Sequence, residues 1–296
     1  MEGETRLERK LAELGGKAWL PRELLTLVEA TGRLQRESSP GAAVAPERVC
    51  GEREHRLGAP LLARDLFPVD VAAAEGLFRR LLDVTESLPQ LRTPSQLLRD
   101  GLVRGDVRLP ELFRAYALEN AEPFAAWAKL APDAPNLLPF LLYNAMEPWL
   151  EAVGEALCAA YPLPGVWRHG HCPVCGSPAF IGCLDAEPSR GKDGAGGEGE
   201  RRHVCSYCRT TFRAESGRCP FCLEEEPERL EAFTVDSEPG YQAHVCRSCK
   251  SYIKIADLRE SNRDFVAALD DLESLPLDMA AQREGFHRVA PSEWGL

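Results

Sequence analysis

Four Cys-x-x-Cys pairs punctuate the second half of the chain: Cys172/Cys175, Cys205/Cys208, Cys219/Cys222 and Cys246/Cys249. A two-residue spacer lets both sulfurs of a pair reach one ion. Two such pairs complete a tetrahedral four-thiolate shell, the kind that holds zinc or a single iron. Eight of the 11 cysteines therefore predict two metal sites. The tract also repeats itself. One half opens with His171-Cys-Pro-Val-Cys175 and closes with His203-Val-Cys-Ser-Tyr-Cys208 before Arg209; the other opens with Arg218-Cys-Pro-Phe-Cys222 and closes with His244-Val-Cys-Arg-Ser-Cys249 before Lys250. This register favours sequential pairing, with 172/175 and 205/208 around one ion and 219/222 and 246/249 around the other. Joining 205/208 to 219/222 across 10 residues is the alternative, and it leaves the outer pairs to find each other.

A shell closed by four protein sulfurs offers no open position for an activated water, which argues against hydrolytic metal chemistry. The spacings are not those of iron–sulfur clusters, and the pairs lack the single-site βαβ setting of a thioredoxin-like dithiol. The chain has no phosphate-loop, dinucleotide, H-E-x-x-H or nucleophile-elbow motif. His169, His171, His203 and His244 read as neighbours of the sulfurs, giving N–H donors or packing, and not as ligands. Cys183 reads first as a packed thiol on a short strand and second as a reactive or partner-facing one. Cys50 and Cys158 read as core thiols, and His55, among charged neighbours, as exposed.

The formal charge is -11, and residues 172–252 carry 13 acidic against 10 basic side chains before any thiolate is counted. Binding to nucleic acid leans on phosphate neutralisation, so a zinc-ribbon nucleic-acid protein is the weakest reading, with Arg201/Arg202 as its one candidate basic patch. No apolar run approaches the ~20 residues of a membrane helix. The charged stretch Met1–Lys10 is unlike a secretory signal, so a cytoplasmic setting with reduced thiols is expected.

The elements that must position these cysteines are helical on one side and ribbon-like on the other. Leu7, Leu11 and Leu14 follow a helical stripe up to Gly15-Gly16, and a second helix follows Pro21. Residues 37–60 read as a connection. From Leu61 to about Tyr161 the apolar period is helical throughout, with Thr93-Pro94, Pro110, Pro123 and Asn136 marking helix starts and Pro148 a kink or break. Tyr161–Gly165 ends that pattern. Short strands are expected at Ala179–Ile181, Thr211-Phe212 and Tyr252–Ile255, giving ribbons whose small cores depend on metal. Residues 186–202 read as a loop, Glu224–Glu226 with Glu228 as a solvated face, and Phe265–Ala281 as helix again, with Trp294 packing back. The fold class is α+β and multidomain: a helical domain (1–165), a first four-cysteine module (166–216), a second (217–258) and a helical tail (259–296).

The chain resembles the formate dehydrogenase accessory protein family, FdhE. The resemblance rests on Gly170-His-Cys-Pro-Val-Cys-Gly-Ser177, the three later knuckles, Tyr252-Ile-Lys254, Leu275-Pro-Leu-Asp-Met-Ala-Ala281 and Gly285-Phe286, and less specifically on Pro60-Leu-Leu-Ala63. It implies a helical domain followed by two rubredoxin-like modules, with the eight paired cysteines binding two metal ions, iron being favoured and zinc the alternative. It further implies a non-catalytic, cytoplasmic, chaperone-like protein that assists maturation of formate dehydrogenase by binding its catalytic subunit. An iron-dependent redox or oxygen-sensing adaptor in the same pathway is the alternative, and self-association is left open. The Gly-rich insert at 190–199 and Phe212, where a tryptophan is expected, depart from the family pattern without touching a ligand.

Overall fold

The structure is a computed structural model that describes residues 6–41, 43–185, 199–259, 263–292 and 294. The Gly-rich insert therefore lies outside the described residues except for Gly199, as do residues 186–198 of the expected loop. That loop ends earlier than the sequence suggested, because Glu200–Cys205 is a strand. Its charged side chains hide a pairing partner on each flank.

The helical half is built as its apolar spacing dictates. Helices α1 (Arg6–Gly15) and α2 (Arg22–Ser38) are separated by the turn through Gly16 and Pro21. A one-turn helix, α3 (Glu52–Arg56), interrupts the connection that follows. Asp70 caps α4 (Val71–Ser87), its Oδ1 accepting from the Ala73 amide at 3.0 Å. Helix α5 (Arg92–Arg104) starts one turn-position before the expected cap, so Thr93 and Pro94 lie inside its first turn. Helices α6 (Leu109–Ala117) and α7 (Glu122–Leu130) each carry a first-turn proline. Helix α8 (Leu137–Ala160) runs unbroken through Pro148 and is buried around most of its circumference. A helix apolar on every side belongs at the centre of a bundle, and α8 does pack against α2, α4, α6 and α7.

The cysteine half contains strands β1 (Ala179–Asp185), β2 (Glu200–Cys205), β3 (Thr211–Arg213), β4 (Leu230–Phe233), β5 (Tyr241–Cys246), β6 (Ser251–Asp257) and β7 (His287–Arg288). The sequence pointed to β1, β3 and β6 only. Each module is an antiparallel meander, β1-β2-β3 and β4-β5-β6, and the two meet edge to edge in one seven-stranded sheet of order β3-β2-β1-β6-β5-β4, with β7 pairing with β6. The seam is parallel, Ile181 to Leu184 running beside Lys254 to Asp257. Strands covered on both faces read as continuous apolar runs, which is why these central strands were legible. Gly182 permits the close approach: a Cβ there would lie 2.6 Å from the Arg202 carbonyl oxygen and 2.9 Å from Ile255 Cδ1.

The last segment forms α9 (Ala267–Glu273), α10 (Leu275–Arg283) and β7. It buries Leu277, Ala281 and Phe286 against Tyr241, Tyr252 and Cys183 of the sheet. Trp294 does pack back, donating Nε1–H to the Ala268 carbonyl at 2.9 Å. The acidic residues Asp270, Asp271, Glu273 and Asp278 are also buried, which the helical period did not foretell. A buried carboxylate needs a partner. Lys10 of α1 meets Asp270 at 3.0 Å and Glu273 at 2.5 Å; Lys254 of β6 meets Asp271 at 2.9 Å and Asp278 at 2.5 Å; Arg288 closes on Asp271 at 2.5 Å. These pairs tie the first helix, the sheet and the last segment together.

Candidate metal centres

None of the 11 cysteines is in a disulfide, and eight of them gather into the two sets that the duplication favoured. In the first, Cys172 Sγ lies 3.7 Å from Cys208 Sγ and Cys175 Sγ 3.3 Å from Cys205 Sγ. In the second, Cys219–Cys249 and Cys222–Cys246 are each 3.7 Å apart. Within each set the four sulfurs lie within 4.8 Å of one another. A disulfide would bring them to ~2.05 Å. Thiolates ~2.3 Å from a central ion stand about 3.8 Å apart at tetrahedral angles, so spacing and donor type both fit one thiophilic ion per set.

The backbone explains how each pair turns its sulfurs inward. The residue after the second cysteine is left-handed in all four knuckles: Gly176 at φ +80°, Arg209 at +58°, Leu223 at +64° and Lys250 at +59°. Only one of these is a glycine, and a left-handed non-glycine residue is costly unless its surroundings hold it. Here a local turn does so: the amides of Cys172, Cys205 and Cys219 each donate to the carbonyl five residues on, at 2.8, 3.0 and 2.9 Å. Amides also point at sulfur, Val174 N to Cys172 Sγ at 3.4 Å and Tyr207 N to Cys205 Sγ at 3.3 Å.

The first set is embedded in the helical domain. All four of its sulfurs are buried, and they belong to the same apolar cluster as α4 and α8. The amides of Leu61 and Leu62 donate to the carbonyls of Pro173 and Val174 at 3.0 and 2.9 Å. Tyr207, 1% exposed, donates its hydroxyl to the Arg64 carbonyl at 3.1 Å. Gly154 of α8 lets the second knuckle approach so closely that a Cβ would sit 2.8 Å from the Cys208 carbonyl oxygen. The core of this module is thus shared with the helices, where the sequence suggested a small core of its own. The second set is different: Cys219 and Cys246 are buried, but Cys249 is half-buried and Cys222 is exposed. A cavity of about 310 Å³ opens against Cys219 and Cys246, lined also by Arg218, Phe221 and His244.

Among the described residues no histidine ring hydrogen-bonds a cysteine sulfur. His169 Nε2 and His171 Nε2 lie 3.3 and 2.7 Å from the carbonyls of Arg56 and Gly58, and both rings pack against Trp167. His55 is buried, not exposed: its Nδ1 is 2.8 Å from the Ala59 carbonyl and its ring stacks on Trp167 at 5.0 Å. These rings therefore clamp the 55–60 segment onto the first knuckle. His203 is buried beside Phe212, and burial holds it well below the usual imidazole range. His244 pairs with Arg201, and burial, with that guanidinium next, lowers it to about 3. Arg201 is accordingly buried and Arg202 pairs with Asp185, so the two arginines do not form a basic patch.

Cys183 lies in the core beneath α10, where burial pushes its thiol up to about 12. That environment supports the packed reading over the reactive one. Cys50 is half-buried, 3.3 Å from the Pro60 carbonyl, and Cys158 packs at the edge of the helical core. Trp167, Tyr207, Arg209 and Gly154 position the first centre and were missed in the sequence. The motif around Cys208 frames Tyr207 and Arg209, but nothing local marks Trp167 or Gly154.

Comparison with known proteins agrees with the resemblance read from the motifs. Residues 218–294 match the family model described as FdhE, C-terminal domain. An FdhE homologue from Aquifex aeolicus is 33% identical over 156 residues, 52% of this chain and 50% of that protein. One from Pseudomonas putida is 33% identical over 163 residues, 53% of this chain and 47% of that protein. The chain thus spans about half the length of these curated relatives. A homologue from Pseudomonas aeruginosa is 29% identical across 91% of this chain and 82% of its own length. The crystal structure of the FdhE protein from Pseudomonas aeruginosa superposes with a TM-score of 0.64 at 24% identity, over 98% of this chain and 94% of that one. That superposition shows the shared fold.

Proposed function

From an FdhE C-terminal domain at 218–294 and an FdhE-like fold around it, we propose that this chain is a non-catalytic accessory protein for formate dehydrogenase. It binds the catalytic subunit of that enzyme during maturation, in the cytoplasm. Cys172, Cys175, Cys205 and Cys208 hold one ion and Cys219, Cys222, Cys246 and Cys249 the other. The observation that carries the reading is the pair of closed four-sulfur sets, each at tetrahedral spacing and each made wholly of protein donors. A bound ion supplies a four-way cross-link between two knuckles. The chain's own residues do the rest: the left-handed turns aim the sulfurs, and the meander between the knuckles fixes their separation. Family resemblance favours iron over zinc. The four-unit division at residues 165, 216 and 258 is proposed as the map for dissecting the partner surface.

Among the described residues no helix is long and apolar enough to cross a membrane. The buried Arg201 and the paired Arg202 weaken a nucleic-acid role further. A redox or oxygen-sensing adaptor is the second reading, favoured by the exposure of Cys222 at the second set.

The test is native mass spectrometry of anaerobically purified protein co-expressed with formate dehydrogenase subunits. It reads ion count, ion mass, self-association and client at once. Two ions and a complex with the catalytic subunit are expected; Cys175→Ser and Cys222→Ser should each lose one ion and the client. A protein that keeps the client after losing both ions would refute the scaffold role, and a zinc-only protein that supports full maturation would remove the redox reading.

A further inference from the structure

The two sulfur sets are related by duplication, yet the fold treats them unequally. Cys172, Cys175, Cys205 and Cys208 are between 0% and 3% exposed. Three separate parts of the helical domain cover them: the 58–62 segment over the first knuckle, the Arg64 carbonyl over Tyr207, and Gly154 of α8 against Cys208. Among the described residues, no part of the helical domain covers the second set in this way. Its knuckle residue Cys222 is exposed, Cys249 is half-buried, and the 310 Å³ cavity reaches Cys219 and Cys246. The segment next to this opening, Glu224–Arg229, is largely exposed as well.

We infer that the two centres have different jobs: the first is a permanent structural ion, and the second is an exchangeable one that external thiols and chelators can reach. The inference rests on the reading that each set holds an ion. Thiolate-bound ions leave when an incoming ligand takes the place of one sulfur, and a sulfur at the surface is the first that can be replaced. Each sulfur displaced from the ion takes up a proton from solvent, and the ion passes to the incoming ligand without change of oxidation state. At the first centre the same event requires the helical domain to part from the knuckles, a local opening that slows it. At the second centre Cys222 needs no such opening. The accessible ion is thus placed where a partner bound at the 218–232 surface would cover or uncover it.

The experiment uses the full-length protein loaded with two zinc ions, challenged with a chromogenic chelator and, in parallel, with N-ethylmaleimide read by peptide mass spectrometry. Release of one ion at least about ten-fold faster than the other is expected, the factor that even a modest opening cost imposes. Alkylation should reach Cys222 and Cys249 before any of Cys172, Cys175, Cys205 and Cys208. Cys222→Ser should remove the fast phase and leave the slow one; because that variant can misfold, Phe221→Ala, which widens the cavity without touching a ligand, should speed the fast phase alone. A single release phase, or alkylation of both sets at one rate, would overturn the inference. A protein that takes up no zinc at all would instead overturn the metal reading beneath it.

Discussion

Glu147 shows how much a single side chain in this protein depends on its neighbours. It sits on α8, one turn before Glu151, in a cavity of about 410 Å³ where α2, α8, β3 and the last segment meet. Arg209, the left-handed residue after the second knuckle, reaches it at 3.8 Å while stacking on Tyr143 and Phe180. Burial, with Glu151 adding repulsion and Arg209 opposing, raises the Glu147 carboxyl from 4.5 to about 7. The folded chain therefore holds this proton more tightly than the unfolded chain does. Its contribution to stability is complete below pH ~4.5 and fades as pH rises through the folded value, so stability should fall between those limits. Glu147→Gln keeps the shape and removes the titration. Urea unfolding from pH 5 to 7.5 should show a flatter decline for the variant than for the parent; parallel curves would show that Glu147 is ionised throughout.

At the scale of elements, the closing segment is held by charge as much as by apolar packing. Lys254 projects from the central strand β6 and is 1% exposed, with Asp271 and Asp278 of α9 and α10 as its partners and Arg288 of β7 sharing both. Although burial works against ionisation, Arg288 and Lys254 hold Asp271 down to about 2. Replacing such a network by apolar groups can be neutral, but removing one member strands the others. Lys254→Met should therefore destabilise by about 3–5 kcal/mol, measured by urea unfolding of the metal-loaded protein, whereas a cost below 1 kcal/mol would mean the network is effectively solvated. The motif Tyr252-Ile-Lys254 and the run Leu275–Ala281 were each legible as patterns. That they answer one another across the sheet was not, because nothing in local period marks which lysine meets which aspartate.

The whole molecule is organised about the seam where the helical domain covers the first sulfur set. Cys172, Cys175, Cys205 and Cys208 share one apolar cluster with Leu81, Leu141 and Leu150. A fragment of residues 166–296 would leave Val174, Tyr207 and Phe212 facing water. That fragment is expected to aggregate or to lose the first ion while the second stays bound, seen as a one-ion species by native mass spectrometry; a monodisperse two-ion fragment would show that the module folds by itself. The buried carboxylates of α9 and α10 are neutralised internally by Lys10, Lys254 and Arg288.

Cysteine spacing and the internal duplication favoured the grouping of the eight sulfurs that the fold adopts, since a two-residue spacer lets both sulfurs of a pair reach one ion and the repeat suggests which pairs belong together. Apolar period likewise located the longer helices and the central strands β1 and β6, because elements buried on several sides must be apolar at those positions. Tertiary structure alone decided that the two meanders share a sheet, that His55, His169 and His171 serve a docking seam, and that one sulfur set is sealed while its duplicate is open. Those outcomes depend on contacts between residues far apart in the chain, such as Gly154 against Cys208 and Leu61 against Pro173. Such contacts leave no periodic trace in the segments that make them.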